Sequence, residues 1–224
     1  MPAVSDLSYD DWLEHAFGPA IRPHGNQWFF DDDPPWWDPQ PSVAIDYFTR
    51  LFSTTGPSLG GFSDAQIAQG FTYLLSTSAS GDNGWFYNTS VPTAARRRCI
   101  EAIADVFADL FAPRCAAVLC HSDEPGAAAL NTVCYMWWDE FPCLALPDDP
   151  ACDLLHSTAI DVMRRTLKLD SIACQEAALH GLGHWARYRS GDIAAVIDAF
   201  LGDGRSKRAA LASYAGSARC GCVL

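Results

Sequence analysis

Pro92-Thr93-Ala94-Ala95-Arg96-Arg97-Arg98-Cys99-Ile100-Glu101-Ala102-Ile103-Ala104-Asp105-Val106-Phe107-Ala108-Asp109-Leu110-Phe111 is the stretch that decides the fold. Cys99, Ile100, Ile103, Phe107, Leu110 and Phe111 recur at steps of three and four, while Glu101, Asp105 and Asp109 fall off that stripe. This is the period of a helix with one buried face. Pro92 sits where the first turn tolerates proline, and Pro113 is expected to end the helix. Arg96, Arg97 and Arg98 form the one basic cluster and read as a solvated face.

The same period continues on both sides. Ser8 is a candidate N-cap for a first helix ending at Gly18. Residues 19–41 break helix and sheet with repeated prolines and hold Trp28, Phe29, Phe30, Trp36 and Trp37 around Asp31, Asp32 and Asp33. They read as an extended strap whose rings anchor onto helices. Helical spacing resumes at Ser42 and again after Ser63, with a turn expected over 56–61 and an aromatic loop over 76–90 carrying Trp85. Further helices are expected over 131–141, 153–167, 171–188, 192–202 and 206–219. Alternating strand patterns are missing. The expectation is an all-α single domain of eight or nine helices, an orthogonal bundle or a short α-α array. Residues 1–41 would be the first helix plus strap, and 42–224 the helical body.

Composition narrows function. The 224 residues carry a formal charge of −12, with 49% hydrophobic and 19% charged residues. Acidic balance argues against nucleic acid and anionic membrane surfaces and favours a basic protein partner. The first residues lack a basic segment followed by an apolar one, and no apolar run is long enough to span a bilayer, so a cytoplasmic location is expected. The nine cysteines then read as thiols.

Chemistry concentrates in Cys174-Gln175-Glu176-Ala177-Ala178-Leu179-His180-Gly181-Leu182-Gly183-His184-Trp185. Histidines four apart on a helix share a face and can ligate zinc or iron, with Glu176 one turn earlier as a carboxylate ligand. Further ligands would come from Cys220, Cys222 or His156. Gly181 and Gly183 weaken a helix and need a reason, either close approach of another helix or room for a ligand. Packing is the commoner role for such histidines. Trp36, Trp37, Trp85, Asp32 and Asp33 are candidates for a cation-binding face, against the strap reading. No nucleophile elbow, phosphate loop or dinucleotide fingerprint occurs.

Residues 170–202 resemble one HEAT-type helical repeat: an Ala-rich helix with glycine in its second half, a turn, then Asp192 to Leu201. The resemblance implies layered helix pairs and a binding surface. The leading reading is a non-enzymatic acidic module, an inhibitor, adaptor or immunity-type protein for a basic partner, with no cofactor. The alternative is a metal-dependent enzyme or metal-binding helical protein using Glu176, His180 and His184 with zinc or iron.

Overall fold

The computed structural model describes residues 3–4, 6–24, 27–31, 36–75, 86, 88–140, 148–203 and 208–223; Asp32, Asp33 and Trp85 lie outside them, as does the side chain of Trp36. Among the described residues the structure is mostly helical. Among the described residues the helices are α1 (Tyr9–Phe17), α2 (Pro41–Ser53), α3 (Thr55–Leu59), α4 (Asp64–Leu75), α5 (Thr93–Asp105), α6 (Asn131–Tyr135), α7 (Trp137–Glu140), α8 (Cys152–Thr166), α9 (Ile172–Gly202) and α10 (Ala209–Arg219). They form one all-α domain. A two-residue parallel pairing joins Ala3 to Trp36 and Val4 to Trp37. No helix among the described residues is long and apolar enough to cross a membrane.

Two departures from the sequence pattern raise the helix count. A turn is expected over 56–61, but Thr55–Leu59 forms α3, because Pro57 falls in a first turn where its missing N–H costs nothing. The expected helix over 131–141 is broken into α6 and α7 at Met136. The stripe of α5 is buried as its period requires, but the helix does not stop at Pro113. Val106–Phe111 widens into a π-turn in which the Ala112 N–H reaches back to the Phe107 carbonyl, and a last turn runs to Arg114. The Cys174 thiol donates to the same carbonyl at 3.7 Å.

Arg96 corrects the solvated-face reading of the basic cluster. Arg97 and Arg98 are exposed, but Arg96 is buried and bound to Asp149. The reason is geometric: Arg96 lies on the inner side of α5, one turn before the buried Cys99 and Ile100.

The strap is an anchor where it is described. Trp28 lies 4.7 Å from the Tyr73 ring of α4. Trp37 is buried, stacked on Tyr47 of α2 at 5.8 Å and set against Trp12 of α1 at 5.2 Å. Asp31 pairs with Arg22 at 2.7 Å.

The centre of the core is Trp137. Phe52 of α2, Phe71 of α4, and Phe107 and Phe111 of the π-turn all meet its ring edge-on, at 5.3–5.9 Å. Edge-to-face pairs of this kind add about 0.5–1.5 kcal/mol each beyond burial. The four fix α7, and so the two residues that follow. Trp138 stacks parallel on Phe107 at 6.0 Å, and Asp139 comes next in the chain.

Helix α9 passes beside this centre. Ser171 caps it, its Oγ accepting from the Cys174 N–H. From Ala173 to Gly183 every residue except Gln175 is buried, so this half has no outer face. α9 is two helices joined across a kink at the non-helical Arg189 (φ −137°, ψ 45°), in keeping with the separate helices expected over 171–188 and 192–202. Arg189 binds Asp192 at 2.8 Å and Asp153 of α8 at 3.1 Å there. The eight described cysteines are all free thiols.

Candidate metal centre

Gly181 brings α7 against α9. A Cβ at Gly181 would lie 2.6 Å from Cβ and Cγ of Trp138, closer than packed atoms allow. A Cβ at Gly183 would meet Val223 at 2.6 Å. Both glycines therefore serve close approach, one of the two reasons their positions suggested. With α7 that near, Asp139 reaches the two histidines of α9.

The result is a triangle. His180 Nε2 lies 2.8 Å from Asp139 Oδ2, His184 Nε2 lies 3.0 Å from Asp139 Oδ1, and the two Nε2 atoms are 3.2 Å apart. Side-chain exposure rises around it: 1% at His180, 20% at Asp139, 40% at His184. The cluster thus opens to solvent on the His184 side. Burial holds the His184 imidazole below its ordinary pKa, outweighing the opposing pull of the Asp139 carboxylate, and so favours the neutral, ligating form.

Behind His180 stands a support of aromatic hydroxyls. Its Nδ1 meets the Tyr214 hydroxyl of α10 at 2.6 Å, Tyr214 meets the Tyr135 hydroxyl at 3.2 Å, and the Tyr135 ring packs 4.2 Å from the imidazole. Burial pushes the Tyr214 phenol far above its usual pKa, with the Tyr135 hydroxyl adding to it, so Tyr214 stays protonated. Bonding at Nδ1 fixes the ring's orientation and leaves Nε2 to the triangle.

Glu176 is placed elsewhere. It is fully buried and accepts three N–H groups: Cys120 N at 2.9 Å, His121 N at 3.0 Å and His121 Nδ1 at 2.6 Å. It pins the loop before α6 rather than joining the histidines. The pinned His121 stacks on Tyr214 at 4.0 Å and so steadies the hydroxyl that holds His180. His156 sits with the Cys152 thiol at 3.7 Å and against the edge of Trp185. Cys220 and Cys222 are exposed after α10, the Cys222 thiol donating to the Cys220 carbonyl. None of these joins the triangle. Asp139 does, and sequence reading missed it; the one signal was an acid directly after two core tryptophans.

Comparison of the chain with known protein families, with curated proteins and with solved structures finds no match in any of the three.

Proposed function

We propose that this protein binds one divalent transition metal ion through Asp139, His180 and His184, leaving coordination positions open on the His184 side. The observation that carries the reading is that the three contacts of the triangle cannot all be hydrogen bonds at once. An ionised Asp139 only accepts, so each histidine must donate to it from Nε2. The contact between the two Nε2 atoms then sets donor against donor. A cation at the centre removes the conflict. Donors each bound to one ion at about 2.0–2.1 Å stand roughly 3.0–3.4 Å apart, and the two Nε2 atoms are 3.2 Å apart.

Two histidines and one carboxylate suit zinc and iron(II) and leave room for water. A bound ion lowers that water's pKa toward neutrality, the basis of metal-dependent hydrolysis. The role of Tyr214 is then to orient a ligand.

Elemental analysis of untagged protein purified without chelator tests the reading. Wild type should carry about one ion per chain, and Asp139→Asn and His184→Ala about a tenth of that or less. Tyr214→Phe, which removes only the support behind His180, should lower affinity about 10–100-fold while leaving the ligands in place. Wild-type protein that takes up neither zinc nor iron(II) on titration would end this reading.

The acidic surface supports a second reading, association with a basic protein. Asp6 just before α1 and Asp10, Asp11 and Glu14 on it are all exposed. Charge reversal at Asp10 and Glu14 should slow association with such a partner about tenfold or more at low salt, with little effect on metal content. An unchanged association rate in stopped-flow mixing would remove this face from consideration.

A further inference from the structure

Beside the triangle lies a cleft of about 380 Å³ whose walls include His184, Arg187, Ser190, Arg219, Cys220 and Gly221. His184 belongs to both places: its Nε2 faces Asp139 and His180, and the residue also lines the cleft. Among the described residues the lining holds two arginines and no carboxylate. In a chain of net charge −12 this is an inverted local balance.

The two arginines are differently engaged. Arg219 gives Nε and one terminal nitrogen to Asp198, at 2.7 and 2.9 Å. Arg187 is exposed, lies 4.6 Å above the Tyr188 ring, and has no carboxylate partner among the described residues. Most of the other described arginines have one: Arg22, Arg96, Arg97, Arg114, Arg164, Arg165, Arg189 and Arg208 all pair with acids. A planar guanidinium held over a ring keeps its fork of donors directed outward, the arrangement that takes an oxyanion through two parallel hydrogen bonds. Ser190, whose hydroxyl can donate, also lines the cleft.

We infer that this cleft binds the oxyanion of a small substrate, a phosphoryl or carboxylate group held by Arg187, and presents that substrate to the metal on the open side of His184. The inference rests on the metal reading above and adds the substrate class to it. Charge steers such a molecule to this cationic recess, where the metal and Arg187 act together.

The test uses full-length protein reconstituted with cobalt(II), whose visible absorption reports ligands entering the metal's open positions. Inorganic phosphate and acetate are titrated separately into wild type, Arg187→Met and Arg187→Lys, with cobalt content measured for each. Wild type should bind at least one of the two anions, and the tighter one identifies the class. Arg187→Met should weaken that binding about 10–100-fold, the range for losing a charge-assisted pair, with cobalt content unchanged. Arg187→Lys, which keeps charge but loses the fork, should fall between. Full cobalt loading with anion binding absent, or equal in wild type and Arg187→Met, overturns the cleft and leaves the metal site standing. Failure of wild type to take up cobalt overturns the metal reading and this inference with it.

Discussion

Arg96→Met is expected to cost the fold about 3–5 kcal/mol, the range for stranding one charge of a buried pair. Arg96 and Asp149 have side chains only 2% and 3% exposed and meet at 2.5 Å. Asp149 also accepts the Ala151 N–H at 2.8 Å, at the start of α8, so the pair ties the first turn of α5 to that start. Removing the guanidinium leaves a buried carboxylate with one backbone donor. For a chain of this length the loss corresponds to a fall of about 6–20 °C in melting temperature. Arg96→Met combined with Asp149→Leu should recover most of it, because no buried charge remains.

The pH dependence follows in sign. The hydrogen bond from Arg96 holds the Asp149 carboxyl below its ordinary range against the opposing effect of burial, and Ala151 helps. A depressed folded-state pKa means the contribution is complete above the unfolded value of about 3.9 and is lost as pH falls through the lower folded value. In Arg96→Met the stranded carboxyl favours its protonated form, so the gap between variant and wild type should narrow as pH drops toward about 4. Urea melts at neutral and acid pH measure both effects. A constant gap across that span would show that charge is not what makes Arg96 matter.

Gly181→Ala is the second large effect. Its new methyl would overlap Trp138 at Cβ and Cγ, atoms fixed by the backbone of α7 and by the stack on Phe107. No flexible end is available to move aside. Overpacking of this kind costs about 1–3 kcal/mol. The same displacement carries Asp139 away from His180 and His184, so metal affinity should fall by an order of magnitude or more, about the 10–100-fold seen when ligand support is lost. Gly191→Ala is the control. It lies on the same helix with nothing within 4 Å, and should be neutral or gain up to about 1 kcal/mol. Equal effects at the two glycines would mean that helix propensity, not the α7 contact, governs Gly181.

The fold was largely legible because burial repeats. Cys99, Ile100, Ile103, Phe107, Leu110 and Phe111 lie on one stripe, and all six are buried. The π-turn through Phe107 was not legible, since widening a helix by one residue leaves apolar spacing nearly intact. The site was half legible. His180 and His184 announce themselves at a spacing of four, and Gly181 and Gly183 point to close packing. Asp139 and Tyr214 come from separate helices, and no local pattern links them to α9. Glu176 misleads for a related reason: it shares the histidines' face, but one turn up that face meets the loop at residues 119–121. Periodicity says which side of a helix a residue occupies and nothing of what waits there.

The absence of an outer face on α9 between Ala173 and Gly183 has a kinetic consequence. This segment meets the π-turn through Cys174, α6 and α10 through His180, and α7 through Gly181. None of these can open alone and bare it. Its amide protons should therefore exchange with solvent only when the whole domain unfolds, at a rate that reports global stability. His184, just past that segment and 40% exposed, lies where smaller openings suffice. The first histidine of the pair is thus bolted to the slowest part of the molecule and the second to a faster one. An ion bridging them would be gripped on one side and released from the other.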